Sequence, residues 1–267
     1  VFPTDVQHDV GIWHVAPAAW GLIILAVGGY CTWRMLQPAE PQWQRRANTG
    51  ALGTLAVSIW FAGSFLQRDA MRYESVHMAS HLVVMLVIAP LAVLAVSTSS
   101  YVPVSSRRSL RALRNPVVCF LMLAILIPAF HLTLFGAKVM EYNALHAVEL
   151  AFFGLVGLLY WRLVLSVSPE VHLPTYGQRV AYVALAIPVI FFAGIAMMSM
   201  DHPLATMGSL SSSEALRDVH QAGLVMIVVG DGLLSLYAIG LFVAWWMSGR
   251  ARRVDPLGRG RLVVSAT

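Results

Sequence analysis

Two histidines four residues apart, His77 and His81, stand at the start of a long apolar stretch, in Tyr73-Glu74-Ser75-Val76-His77-Met78-Ala79-Ser80-His81. Residues at that spacing stack on one face of a helix, so the two imidazoles point the same way and can chelate one metal ion, with Met85 another turn along the stripe. Imidazole and thioether together suit copper, Cu(I) in particular, better than magnesium or calcium. His131 closes the next apolar stretch and His146 opens the one after it, at depths within a few helical turns of the first pair. Glu149, three residues after His146 on the same face, is placed to be a ligand or to orient an imidazole through its second nitrogen. Asp218 and His220 add a carboxylate and a further imidazole at the start of the last stretch. The competing reading is plain: helices carry His-x-x-x-His by chance, and interfacial water solvates a histidine cheaply.

The elements that must hold these residues are membrane helices. The chain has 267 residues, 58% of them hydrophobic and 12% charged, against about a quarter charged in a soluble domain. Lipid is the expected solvent. The net charge of +5 does not point to nucleic acid, because the arginines sit in short loops beside apolar runs, where they mark topology. Cys31 and Cys119 lie singly inside apolar runs and read as small buried hydrophobes with no disulfide framework. An acidic segment, Asp5 to Asp9, precedes the first stretch without a basic region, which reads as a retained helix or an already processed chain.

Spanning the hydrocarbon takes roughly 20 apolar residues. The expectation is an all-α, polytopic protein with seven transmembrane helices, at about 14–36, 48–66, 75–96, 116–135, 144–167, 179–200 and 219–247. They form a single transmembrane domain over 1–267, with 248–267 a basic cytoplasmic tail, since the connections 97–115 and 201–218 are too short for a core of their own. Alternate helix ends collect Arg34, Arg45, Arg46, Arg107, Arg108, Arg111, Arg114, Arg162, Arg179 and the arginines from Arg250 to Arg261, and that side is cytoplasmic. An odd number of spans then puts the N-terminus outside. His8, His14, His77, His81, His131, His146, His202 and His220 all map to the outer side, and His172 alone to the inner. An intramembrane histidine is a functional candidate by default. Arg162 is expected to snorkel, most tryptophans, Trp161 among them, to anchor at the interfaces, and Pro90, Pro128 and Pro188 to interrupt helical hydrogen bonding. Asp231, near mid-membrane, is either satisfied within the bundle or part of an ion path.

The segment Tyr73 to Pro90 (YESVHMASHLVVMLVIAP), the stretch from His131 to His146 with Tyr142-Asn143, Glu149, Gly154 to Trp161, and Asp218 with Ala222-Gly223-Leu224-Val225-Met226 resemble, in order, the motif blocks of the multi-spanning CtaG family of cytochrome c oxidase assembly factors. The resemblance covers about residues 12–247, and its most specific block is His-Met-x-x-His with a downstream Ala-Pro. It departs from the pattern at Leu150, where the family often has histidine, and at Val219, where it often has glutamine. The resemblance implies a non-enzymatic protein of the bacterial plasma membrane that handles copper on the extracytoplasmic side for a heme-copper cytochrome c oxidase, with oxidase subunits as partners. The positions carried over are His77, Met78, His81, His131, His146, Glu149 and Asp218. Three other classes compete: a membrane cytochrome with histidine-ligated heme, a copper transporter, and a structural subunit of a larger membrane complex. A transmembrane cytochrome wants a second histidine pair on the inner side, and a transporter wants soft ligands through mid-membrane, where Cys31, Cys119 and Asp231 are scattered.

Overall fold

A computed structural model of the chain describes residues 29, 41–96, 113, 115–133, 143–165, 175–203 and 210–254, which carry no strand. Seven helices occupy most of them. Helix α1 (Pro41–Gly63) and the short α2 (Phe65–Asp69) lead into α3, which runs as Glu74–Val83, a π-helical turn Val84–Ile88, and Ala89–Val96. Then come α4 (Pro116–His131), α5 (Asn143–Leu165) and α6 (Tyr176–Met198). Helix α7 runs as Ser212–Val225, a second π-helical turn Met226–Asp231, and Gly232–Val254.

The helix starts follow local chemistry. Asn115 caps α4 by accepting the Val117 N–H at 2.8 Å, with Pro116 at the first helical position. Thr175 with Gln178 and Ser211 with Glu214 form capping boxes at the starts of α6 and α7. Helix α3 differs: Tyr73 at its N-cap provides no side-chain bond, and its exposed amides are served from another helix, as described below.

Helix α3 lies between α1, α5 and α7, and α7 also packs along α6. The shared core includes Met78, Leu82, Met85, Phe153, Trp161 and Ile190. Glycines set the closest approaches. A Cβ on Gly223 would fall 2.5 Å from the Gly194 carbonyl oxygen, and one on Gly194 would fall 2.8 Å from that of Gly223. Backbones of α6 and α7 therefore touch, as small residues allow between membrane helices. Outward faces carry Val148, Phe192, Val228 and Leu236, all exposed, a surface suited to hydrocarbon rather than water.

The π-helical turn of α3 has a local cause. Pro90 has no N–H to give to the Leu86 carbonyl, and its ring crowds the preceding turn. Ala89 N–H bonds to the Val84 carbonyl, five residues back, instead of to Met85. Carbonyls of Met85 and Leu86 are thereby released, and both find side-chain donors: Trp161 Nε1–H of α5 reaches Met85 O at 2.8 Å, and the Tyr237 hydroxyl of α7 reaches Leu86 O at 2.9 Å. Trp161 is fully buried in this role and is not an interfacial anchor, whereas Trp60, Trp245 and Trp246 are exposed. Arg162, beside it, donates to the Leu113 carbonyl.

The expected seven spans are corrected. Among the described residues four helices are long and apolar enough to cross a membrane: Glu74–Ala95, Leu145–Leu165, Tyr176–Met198 and Ser212–Met247. The stretch 14–36 lies outside the described residues. The stretch 48–66 belongs to α1, which begins in polar Pro41-Gln42-Trp43-Gln44-Arg45-Arg46 and is broken at Ser64. Helix α4 has 16 residues, about 24 Å at 1.5 Å per residue, short of the roughly 30 Å of hydrocarbon. Hydropathy alone joined apolar residues across these ends. With the count of seven goes the odd-number argument that placed the N-terminus outside.

Candidate metal centre

Helix α3 presents His77 and His81 one turn apart on the face toward α5, their ring centroids 4.2 Å apart. Helix α5 answers with His146 and, one turn on, Glu149; the His77 and His146 rings are 5.0 Å apart. All four side chains are buried. One ligand atom from each lies within 4.8 Å of the others. Glu149 divides its carboxylate between the α3 imidazoles, Oε2 lying 3.6 Å from His77 Nε2 and Oε1 lying 3.7 Å from His81 Nε2.

These gaps are too long for hydrogen bonds. They suit atoms that share an ion: with metal–donor bonds near 2.0–2.1 Å, tetrahedral donors sit about 3.4 Å apart. His77 Nδ1, His81 Nε2, His146 Nε2 and Glu149 Oε2 are buried without a hydrogen-bond partner, and each such atom costs on the order of 1–3 kcal/mol. An ion bound between the imidazoles and the carboxylate would offset that cost at His81 Nε2 and Glu149 Oε2, the orphaned atoms of the two groups that face each other. Three imidazoles and a carboxylate fit a first-row transition metal such as copper or zinc, and do not fit the all-oxygen preference of calcium or magnesium.

Around this cluster, Phe153 lies flat against the His81 ring, at 4.0 Å and 13°. His131 of α4 stands on the other side of His81, its Nε2 lying 3.0 Å from His81 Nδ1, while its own Nδ1 is 2.6 Å from the Ile127 carbonyl. A cavity of about 10 Å³ adjoins both rings and is lined by Met78, Met85, Phe153 and Met226 among others. Met78 and Met85 thus border the cavity beside His81 and His131.

Asp218 and His220 stand apart from the cluster. Asp218 accepts the Glu74 N–H at 2.5 Å, the Ser75 N–H at 3.4 Å and the Ser75 hydroxyl at 2.5 Å. His220 pairs through Nε2 with the Met200 carbonyl at 2.9 Å. His202 is exposed, and His8, His14, His172 and Cys31 lie outside the described residues.

Sequence alone names neither Phe153 nor Met226 as a neighbour of the site, although Met226 closes one of the resemblance blocks, and it does not reveal the structural use of Trp161. Phe153 was accessible in principle, since it follows Glu149 by four residues on the same stripe of α5. Met226 reaches the cavity from the second π-helical turn, for which spacing offers no signal.

A family model described as "Cytochrome c oxidase caa3 assembly factor (Caa3_CtaG)" matches residues 27–248. No curated protein and no solved structure matches the chain. With most of its length matched, and with the histidines of its most specific motif gathered in one buried cluster, the chain belongs to the CtaG family of cytochrome c oxidase caa3 assembly factors, multi-spanning membrane proteins that are chaperones and not enzymes.

Proposed function

We propose that this protein holds a copper ion as cargo among His77, His81, His146 and Glu149 and gives it up to a subunit of a heme-copper oxidase during assembly. The observation that carries this reading is the convergence of four buried donor side chains from two helices within reach of one ion, each carrying a polar atom without a hydrogen-bond partner. The family supplies the oxidase, and the donor set supplies the class of metal. Copper is the member of that class whose insertion an oxidase needs.

The hand-over takes place on the extracytoplasmic side. The cluster sits at the start of α3 and α5, while Arg162 and Arg179 lie at the opposite ends of α5 and α6, and arginine-rich ends face the cytoplasm. Exchange is favoured by a site within a turn or two of a helix end, where a partner's ligands can reach it without crossing the bilayer.

The test is metal analysis of the full-length protein, purified in detergent, before and after a chelator. The expected result is about one copper per chain in the wild type and none when His77 and His81 are both changed to Ala. Copper content that is the same in the variant counts against the assignment.

A further inference from the structure

We propose that His131 is a positioning residue that fixes the tautomer of His81, so that His81 meets the ion through Nε2. The proposal rests on the reading of the cluster as a metal site. It adds that the fourth imidazole of the group acts one step back from the ion.

The direction of the chain follows from the one member that cannot be reversed. The Ile127 carbonyl only accepts, so the His131 Nδ1 lying 2.6 Å from it must carry the proton. A neutral ring protonated at Nδ1 has a bare Nε2. That bare Nε2 lies 3.0 Å from His81 Nδ1, so His81 Nδ1 must donate. His81, neutral in turn, keeps its lone pair on Nε2, the atom 3.7 Å from Glu149 Oε1 and without a hydrogen-bond partner. Proton positions run from a backbone carbonyl of α4, through two rings, to the nitrogen that faces the cluster.

Position supports the same division of labour. The ion-sized group comprises His77, His81, His146 and Glu149 and does not include His131. Both nitrogens of His131 are already committed, one to Ile127 and one to His81. Phe153 holds the plane of His81 from its face, and His131 holds its rotation from the edge. A ring fixed on both counts presents its lone pair without a search, which is how outer partners of metal-bound histidines raise affinity.

Two measurements on the full chain test this. In metal-free protein, nitrogen-15 spectra of labelled histidine should show His81 protonated at Nδ1 and bare at Nε2, and His131→Ala should abolish that preference. With Cu(I) as the probe under a competing chelator, His131→Ala should still bind one ion with an unchanged number of imidazoles by X-ray absorption, but roughly 10–100-fold more weakly. His131→Gln, whose side-chain oxygen can accept from His81 Nδ1, should recover most of that loss and serves as the folded control. A wild-type His81 protonated at Nε2, a variant shell short of one imidazole, or unchanged affinity in His131→Ala would each overturn the proposal. Wild-type protein that binds no Cu(I) would instead overturn the metal reading, and the metal-free spectra would still decide whether His131 sets His81.

Discussion

The carboxylate of Asp218, on α7, closes the amino end of the helix that carries His77 and His81, accepting the Ser75 hydroxyl at 2.5 Å together with the first amides of α3. An N-terminal turn has free N–H groups and a partial positive charge, and an acid there satisfies both. Because Tyr73 supplies no cap of its own, α3 takes its cap from a helix 144 residues away in sequence. The clamp ties the start of α7 to the start of α3, one turn before His77.

Asp218→Ala should therefore act on stability before it acts on the metal. Removing the acceptor leaves three partly buried donors unmatched, at a cost of up to about 1–3 kcal/mol, and thermal unfolding in detergent should shift down accordingly. Copper content at temperatures where the variant is folded should match the wild type. Loss of the ion from a fully folded Asp218→Ala protein would make Asp218 a ligand instead.

Glu149→Gln keeps the shape of the side chain and removes its charge. Glu149 faces His77 and His81 at 3.6 and 3.7 Å with one oxygen each, so the neutral amide offers a poorer donor and no charge to balance the cation. The expected result is a loss in Cu(I) affinity of at least roughly tenfold, read by chelator competition, with unfolding temperature little changed in metal-free protein. Equal affinity in the two proteins would remove Glu149 from the site.

Much of the site was readable because it is written in helical periods. His77 with His81 and His146 with Glu149 are spaced four and three apart, so each pair must share a face wherever a helix forms. What spacing cannot convey is which faces meet and what else a polar group finds when they do. Asp218 and His220 lie at the right depth for ligands, yet one finds the amides and the Ser75 hydroxyl of α3 and the other the Met200 carbonyl. The number of spans was misjudged for a related reason: hydropathy averages over Ser64, where α1 ends, and over the last turns of the 16-residue α4. Pro90 marked an interruption in α3, but the rescue of its released carbonyls by Trp161 and Tyr237 is tertiary and left no trace in local sequence.

Phe153 offers a way to loosen His81 without touching a donor. The ring is buried and stacked on His81 at 4.0 Å. Phe153→Leu keeps an apolar side chain but removes part of its buried volume, and should cost less than Phe153→Ala, which should cost about 3–5 kcal/mol through the cavity it leaves. Both should weaken Cu(I) binding while leaving one ion per chain, since His81 gains freedom to turn and every donor remains. If Phe153→Leu binds Cu(I) as tightly as the wild type, stacking has no part in holding His81.

Trp161→Phe probes the π-helical turn that sets the pitch of α3 below the site. The substitution keeps an aromatic ring and deletes the N–H that serves the Met85 carbonyl. That carbonyl lost its ordinary helical donor when Ala89 N–H bonded to Val84, so in the variant it is buried and unpaired, at a cost of about 1–3 kcal/mol. The cause of the irregularity is Pro90, and a double-mutant cycle makes the link testable. In a Pro90→Ala background residue 90 has an N–H, and α3 can return to regular α-helical bonding. There Met85 and Leu86 regain backbone donors, and Trp161→Phe should cost measurably less by thermal unfolding in the same detergent. Equal costs in the two backgrounds would mean that the indole serves packing alone and that the π-helical turn has another origin.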